Sequence, residues 1–352
     1  MILRLLLVFC LSACSGPSYY LQAMSGQKKL MQSRQDIQSL LDDPATPVEL
    51  AGQLEAAEQI KAFAQSELGL PVEDSYSSYV EVKGEALVWN VIATREFSLQ
   101  PKKWCFPVAG CVPYRGFFKQ QKAQESANRL SRKGMDVIVS PAAAYSSLGW
   151  FNDPLLSTML SGSDARLAAY LFHELAHQRL YVKNDGLFNE GYASFVEDTG
   201  VRFWLEFNQQ QDELQKWLQL QDVSKAFSSL VGKTRGQLAR LYRSDVPGSV
   251  MRRQKAAIFS ALKHDYQQLS DKTWQGKRYY SEWFKEPLNN ARLALFNTYE
   301  GSFCAFEGLW DKSGGDWQKF HQLAEKKSRL AKDDRQAWLK QTCPAIAPGA
   351  GL

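Results

Sequence analysis

The sequence has few of the features that mark membrane-spanning or nucleic-acid-binding proteins. Beyond its first residues, no apolar stretch approaches the roughly 18 residues that a membrane-spanning helix needs. The 42 Lys and Arg residues nearly balance the 37 Asp and Glu residues, and the net charge of +5 is spread thinly over 352 residues. We therefore expect no dense basic face and no nucleic-acid partner. The apolar share of 45% and the charged share of 22% are typical of a globular protein.

Residues 1–14 have the pattern of an export signal. Arg4 precedes an apolar run that is too short to cross a bilayer as a helix, and small residues follow that run. The stretch Leu11-Ser12-Ala13-Cys14 resembles a bacterial lipobox, which implies cleavage before Cys14 and lipidation of that residue. With Ser15 next, the resemblance implies a protein anchored by lipid in the bacterial cell envelope, at the outer membrane, with its folded part in the periplasm. A plain secretory signal is the alternative.

Outside this signal the chain has four cysteines, and no two of them have the CxxC spacing that is common in zinc sites. An even number of cysteines in an exported protein predicts disulfides, with three possible connectivities. The short spacing of Cys105 and Cys111, in a stretch with prolines and a glycine, favours a stapled loop. Elimination then pairs Cys304 with Cys343. Free buried thiols are the alternative.

Hydrophobic periodicity predicts an α+β fold that is predominantly α-helical, with a small, mostly antiparallel sheet. Apolar residues at three- and four-residue spacings favour two helices, 27–41 and 47–68, packed as a hairpin. Apolar and β-branched patterns predict three strands, at 79–82, 87–93 and 136–139. Beyond Ser163 we expect the chain to be almost wholly helical.

These patterns divide the chain into four predicted parts. They are a signal peptide at 1–13, a tether at 14–35, a lobe with the helical hairpin and sheet at 36–162, and a helical part at 163–352. We expect the protein to be a monomer.

The pentapeptide HELAH holds two of only four histidines in the chain. His173 and His177 are four residues apart on a predicted helix and share one face, so both imidazoles can bind one ion. Glu174 is displaced around the helix and can act as a general base rather than as a ligand. HELAH alone is only moderately specific, because an amphipathic helix can carry two histidines without a metal. We expect His264 and His321 to be surface or packing residues.

A second predicted helix, which contains NEGYASFVE, supplies a third ligand. A turn at Asn184-Asp185-Gly186 lets this helix return antiparallel to the first, so that Glu190 lies opposite His173 and His177. Two His and one Glu leave the fourth position of a Zn²⁺ ion open for water. Glu197 falls on the same face and is a candidate acceptor for a ligand imidazole N–H, with an unpaired surface carboxylate as the alternative.

HELAHQ followed by NEGYASFVE resembles the signature of the gluzincin aminopeptidases of the alanyl and puromycin-sensitive type. The resemblance implies a zincin-like site in which His173, His177 and Glu190 hold one Zn²⁺ ion, Glu174 is the catalytic base and the substrate is a peptide. Over the whole chain, the lipobox and the WCFPVAGC, YRGFF and LGWFNDPLLSTM segments resemble a bacterial family of predicted aminopeptidase lipoproteins.

Two departures from the aminopeptidase pattern leave the substrate open. The 13-residue spacing from His177 to Glu190 is shorter than in those enzymes, and no G-x-M-E-N run occurs, whose Glu binds the free α-amine of the substrate. An endopeptidase of envelope proteins or peptidoglycan peptides therefore stays as an alternative. A non-catalytic zinc lipoprotein that binds a periplasmic partner is the other, although the presence of Glu174 favours catalysis.

A zinc hydrolase also needs a donor for the developing oxyanion. Tyr145 lies in the segment that stands where G-x-M-E-N is expected, and Tyr299 follows a polar helix start. Both are candidates for contact with the oxyanion or the substrate, together with Tyr242.

Overall fold

The computed structural model describes residues 17–106, 110–142, 152–294 and 300–342. Within them the fold is mostly helical with small, mostly antiparallel sheets, which confirms the predicted class. The helices are α1 (Pro17–Gln32), α2 (Ile37–Asp42), α3 (Val48–Ser66), α4 (Gln120–Ser131), α5 (Asp164–Arg179), α6 (Gly186–Phe207), α7 (Gln211–Leu241), α8 (Gly248–Lys272), α9 (Asn290–Ala294), α10 (Glu300–Ser313), α11 (Trp317–Ser328) and α12 (Lys332–Thr342), with a 3-10 helix at Ser281–Phe284. In these ranges no helix combines the length and the apolar character that crossing a membrane requires.

The described strands form three small sheets. The strands are β1 (Gln35–Asp36), β2 (Ser78–Val80), β3 (Trp89–Arg95), β4 (Trp104–Phe106), β5 (Gly110–Val112), β6 (Arg115–Phe117), β7 (Met135–Pro141) and β8 (Leu155–Leu156). β3 is the centre of an antiparallel sheet, with Val91 opposite Arg115 of β6 and Val139 of β7. A second sheet has the order β1-β2-β8 and includes the parallel pair β2–β8, and β4 pairs with β5 alone.

The predicted hairpin of two long helices is only half present. α3 covers most of the predicted 47–68 helix, but the predicted 27–41 helix is divided between α1 and α2. The division arises because Gln35 and Asp36 pair with β2 as a short strand. Asp36 then caps α2, since its carboxylate accepts a hydrogen bond from the backbone N–H of Ser39 at 2.8 Å. Residues 17–32 of the predicted tether form α1.

The main hydrophobic core surrounds α5 and α6. Its largest fully buried side chains include aromatic rings from α5, α6, α10 and α11: Phe172, Phe188, Tyr192, Phe195, Phe306 and Phe320. Burial of one such side chain contributes about 1.5–3 kcal/mol. α7 and α8 pack around a separate cluster that includes Phe227 and Leu262. The main core therefore fixes α5 against α6.

His321 is a packing residue of this core, whereas His264 is exposed. His321 Nε2 donates to the Leu68 carbonyl at 2.8 Å, and Nδ1 accepts from the Tyr192 hydroxyl at 2.7 Å. Burial is the main cause that lowers the pKa of His321 to about 4, with a smaller lowering effect from Arg179, against the raising effect of the Leu68 carbonyl. The neutral imidazole is thus the form that joins α6 and α11 to Leu68, just after the end of α3.

This depressed pKa predicts a loss of stability in mild acid. The unfolded chain takes up a proton near pH 6.5, whereas folded His321 does so only near pH 4. The stabilisation is therefore present above pH 6.5 and is lost as the pH falls towards 4, by up to about 3 kcal/mol. In urea denaturation at several pH values, the free energy of unfolding should decline less steeply with falling pH for His321→Gln than for the wild type. The surface variant His264→Gln is the control, and an unchanged slope in His321→Gln would contradict the assignment.

Candidate metal site

α5 and α6 carry the three predicted ligands, and the connection between them differs from the expectation. Ser163 caps α5, and the helix ends at Arg179 rather than near the predicted turn at Asn184-Asp185-Gly186. The chain then runs through an irregular connection, residues 180–185, before Asp185 caps α6 by accepting from the backbone N–H of Phe188 at 3.4 Å. Asn184 adopts a left-handed φ of 62°, so the turn that reverses the chain is at the predicted place.

The side chains of His173, His177 and Glu190 converge on one point. The two Nε2 atoms are 3.2 Å apart, and Glu190 Oε2 lies 3.4 Å from His173 Nε2 and 3.6 Å from His177 Nε2. The 13-residue spacing is thus long enough for Glu190 to reach both imidazoles. These residues form a group that could hold a metal ion.

The shape of this triangle fits zinc. With ligand bonds of roughly 2.0–2.1 Å, two ligand atoms of a tetrahedral zinc site lie about 3.4 Å apart. The three observed separations of 3.2, 3.4 and 3.6 Å bracket that value. Two imidazole nitrogens and one carboxylate oxygen are also the donor set of zinc sites that keep a position open for water.

Glu197 holds the ring of His173 from the side opposite the cluster. Its Oε2 lies 2.9 Å from His173 Nδ1 and accepts the N–H of that atom, which directs Nε2 towards Glu190. Burial alone would lower the pKa of His173, but hydrogen bonds to Glu190 and Glu197 outweigh burial and hold the pKa well above its usual range. A metal ion would therefore replace a proton on Nε2.

The same contacts keep Glu190 ionised. Burial alone would raise the pKa of Glu190, but hydrogen bonds from His173 and His177 lower it to about 2. A carboxylate that stays ionised across the physiological range is ready to bind a cation. His177 Nδ1 is buried and has no hydrogen-bond partner among the described residues.

Asn189, next to Glu190, stabilises the connection between α5 and α6 through two hydrogen bonds to its backbone. Its Oδ1 accepts from the backbone N–H of Val182 at 2.7 Å, and its Nδ2 donates to the Val182 carbonyl at 2.9 Å. The pair of bonds satisfies both backbone groups of an otherwise irregular segment. Asn189 was not singled out as a functional residue in the sequence, although it stands in the NEGYASFVE run.

A buried ion pair between Asp185 and Arg335 also stabilises this connection. The Arg335 guanidinium of α12 contacts Asp185 Oδ2 through Nε at 2.7 Å and through Nη2 at 2.6 Å. Both side chains are almost fully buried, and Arg335 also donates to the Ser328 and Leu330 carbonyls. No sequence signal links two residues 150 positions apart, so Arg335 could not be identified before the fold was known.

The disulfide-closed hairpin of β4 and β5 also contacts the connection. Cys105 and Cys111 lie opposite each other and are joined by a disulfide. The backbone N–H of Cys111 donates to Asn184 Oδ1 at 3.1 Å. Gly110, at a φ of 73°, lies so close to the Asn184 side chain that a Cβ atom would not fit. The hairpin thus contacts the connection between α5 and α6 three residues before Tyr114.

The charges of Glu174 and Glu190 act on three tyrosines that the sequence did not identify as candidates. Burial raises the pKa of Tyr114, with further contributions from Glu190 and Glu174, although the residue is 38% exposed. Burial and the charge of Glu190 raise the pKa of Tyr181, whose ring centroid lies 6.3 Å from that of His177. Burial and the charge of Glu174 also raise the pKa of Tyr76.

Several predicted residues fall outside the described part of the chain. They are Tyr145, Tyr299, the lipidation residue Cys14 and Cys343, the predicted partner of Cys304. These assignments stay predictions. Among the described candidates, Tyr242 donates to Asn290 Oδ1 at 2.7 Å and serves the contact between α7 and α9.

Comparison with known families identifies the chain. A family model described as "Putative aminopeptidase" matches residues 18–339. The chain belongs to this family. The predicted membership in a family of aminopeptidase type is thereby confirmed, and the His-His-Glu group that could hold a metal ion lies on α5 and α6. Searches of curated proteins and of solved structures give no match.

The glycines of α6 allow neighbouring helices to approach the site. A Cβ atom on Gly191 would lie 2.6 Å from the Cβ of Ser302 in α10, and one on Gly200 would lie 2.9 Å from the Phe172 ring of α5. Gly191 directly follows Glu190, one of the three residues that could hold a metal ion. The close packing of α10 therefore determines where the turn of α6 that carries Glu190 lies.

Replacement of Gly191 by alanine should disturb this packing and the metal site together. We expect Gly191→Ala to lower the free energy of unfolding by about 1–3 kcal/mol, because the added methyl overpacks the contact with Ser302. Zinc titration should also show weaker binding. Gly52→Ala in α3 is the matched control, since nothing lies within 4 Å of its added Cβ, and it should stabilise by up to about 1 kcal/mol. Wild-type stability of Gly191→Ala would contradict the packing argument.

Proposed function

We propose that the protein is a zinc-dependent metallopeptidase, with aminopeptidase action on peptides of the cell envelope as its activity. The observation that carries the proposal is the convergence of two imidazole nitrogens and one carboxylate oxygen within 3.6 Å of one another on two packed helices. Membership of an aminopeptidase family and the resemblance of HELAH and NEGYASFVE to gluzincin motifs support the same reaction.

In this proposal each residue of the site has a separate task. His173, His177 and Glu190 would hold one Zn²⁺ ion, and Glu197 orients His173. The bound ion would polarise the scissile carbonyl and lower the pKa of a water molecule. A Glu174 carboxylate oxygen takes the proton of the attacking water and later delivers it to the leaving amine nitrogen.

Tyr114 is the described residue that best suits donation to the developing oxyanion. Its hydroxyl lies within the electrostatic influence of both Glu190 and Glu174, and its raised pKa keeps the phenol protonated at neutral pH. Part of the residue is exposed, as contact with a substrate requires. The predicted candidates Tyr145 and Tyr299 are alternatives for the same task.

Glu174→Gln should separate metal binding from turnover. The substitution removes the proton acceptor but no proposed ligand, so zinc content should equal that of the wild type while kcat falls by at least about 100-fold. The measurement is peptide hydrolysis by protein whose zinc content has been determined in the same sample. Retained activity would refute the role of Glu174.

His177→Ala is the counterpart of this variant. It removes a proposed ligand and should lose both zinc and activity, because two remaining ligands bind the ion poorly. A His177→Ala protein with full zinc content would remove His177 from the ligand set. Together, the two variants distinguish the base from the ligands.

The absence of a G-x-M-E-N run favours a second candidate function, an endopeptidase of envelope proteins or peptidoglycan peptides. Without the amine-binding Glu, nothing in the sequence requires a free N-terminus on the substrate. Residues 143–151, which include most of the segment at that place, lie outside the described ranges.

Paired peptides with free and acetylated N-termini decide between the two functions. An aminopeptidase should cleave the free peptides at least about 100-fold faster, because its site is built around a charged amine. The measurement is kcat/KM for each pair, with Glu174→Gln as the control that assigns cleavage to this site. Equal cleavage of both members would contradict aminopeptidase action and establish the endopeptidase.

We further propose that the protein is anchored at Cys14 and works in the periplasm. The lipobox-like sequence supports the anchor. The Cys105–Cys111 disulfide supports an oxidising compartment, because such bonds persist outside the reducing cytosol.

A further inference from the structure

Tyr76 is a buried residue whose hydroxyl has no structural use in the described part of the protein. Its side chain is 0% exposed, and no hydrogen-bond partner for the hydroxyl oxygen occurs among the described residues. A buried polar atom without a partner destabilises a fold. Such an atom beside a candidate active site points to a role in that site.

The backbone of Tyr76 is held in an uncommon conformation by contacts on both sides. Its φ of 58° lies in the left-handed region, which bulky side chains rarely adopt. The Tyr76 carbonyl accepts from the buried Lys61 ammonium at 2.9 Å, and the Tyr76 N–H donates to the Asp153 carbonyl at 2.8 Å. Backbone strain that is maintained in this way is concentrated at functional sites.

The segment that carries Tyr76 lies along the face of α5 that bears Glu174. The neighbouring Ser75 hydroxyl donates to Gln178 Oε1 at 3.2 Å. Gln178 is four residues after Glu174 and therefore shares its helix face. The charge of Glu174 also contributes to the raised pKa of Tyr76, after burial, so the carboxylate acts electrostatically on the hydroxyl.

We propose that Tyr76 is a positioning residue for the catalytic base: its hydroxyl hydrogen-bonds through one bridging water to the Glu174 carboxylate and fixes the orientation of that carboxylate beside the proposed metal ligands. The inference rests on the proposed function of Glu174. Tyr76 itself does not touch the substrate, because it is fully buried.

The chemistry of the hydroxyl suits this task. Burial and the neighbouring charges of Glu174 and Asp153 keep the phenol protonated, so it can donate to the bridging water. One carboxylate oxygen held in this way leaves the other oxygen free to accept a proton from water. A base that is already oriented loses less conformational entropy on reaching the transition state.

The test is Tyr76→Phe, which removes the hydroxyl and keeps the ring. We expect kcat to fall at least tenfold, KM to change less than twofold, and zinc content to stay that of the wild type. Thermal unfolding should not occur at a lower temperature, because the lost hydroxyl has no described partner. Wild-type kcat would overturn the proposal, and so would failure to fold, since it would reveal a structural partner.

Two comparisons establish that the effect passes through Glu174. In the Glu174→Gln background, Tyr76→Phe should cause no further loss of turnover, whereas independent effects would multiply. Tyr266→Phe in α8 is the matched control, because that buried hydroxyl donates to the Tyr279 carbonyl and belongs to another cluster. It should leave kcat unchanged, and a loss equal to that of Tyr76→Phe would overturn the proposal.

A spectroscopic readout keeps the inference distinguishable from the proposed function. The visible absorption bands of the Co²⁺-substituted protein should shift in Tyr76→Phe and not in Tyr266→Phe, even if no tested peptide is cleaved. If the wild type cleaves peptides, but neither kcat nor the Co²⁺ absorption bands change in Tyr76→Phe, only the proposed role of Tyr76 is refuted. If the wild type neither cleaves peptides nor binds Co²⁺ or zinc, the metallopeptidase proposal fails together with this inference.

Discussion

The structure depends on one constraint, the placement of α6 against α5 that brings Glu190 Oε2 within 3.6 Å of two imidazole nitrogens. A carboxylate and two imidazoles converge in this way only if the backbones are held to within a fraction of an ångström. The glycines of α6 permit the close approach, and the aromatic core around both helices maintains it. Holding three polar side chains close together costs free energy of folding. Apolar packing on the other faces of the same helices offsets this cost.

Contacts to the connection 180–185 also help to hold α6 in place against α5. Asn189 satisfies the backbone of Val182, Arg335 neutralises Asp185, and the disulfide hairpin contacts Asn184. These three contacts come from α6, α12 and β5, so distant parts of the chain stabilise one short segment. A connection fixed in this way can be shorter than in the aminopeptidases that the motifs resemble and still bring Glu190 to both imidazoles.

Much of the site could be predicted from the sequence because its key residues lie in two short motifs, where spacing alone determines their relative positions. The spacing within HELAH and within NEGYASFVE determines which side chains share a helix face, and the turn chemistry near Asn184 predicts that the helices return antiparallel. The division of the 27–41 helix was missed because the pairing of Gln35 with Tyr79 is a tertiary contact that overrides local periodicity. Arg335, Tyr114 and Tyr76 were missed for the same reason, since only the fold brings them near the cluster. The end of α5 at Arg179 was misplaced because the irregular connection is stabilised by a side chain of the next helix.

The central claim is that one zinc ion is bound by two imidazoles and one carboxylate with room for solvent. X-ray absorption at the zinc edge of the purified, zinc-loaded protein tests this claim directly, because it reports the type, number and distance of the ligand atoms. The account predicts one zinc per chain, surrounded by about four nitrogen or oxygen atoms at roughly 2.0–2.1 Å, with the outer-shell pattern of two imidazoles. Sulfur ligands at about 2.3 Å, or a protein that retains no zinc, would contradict it.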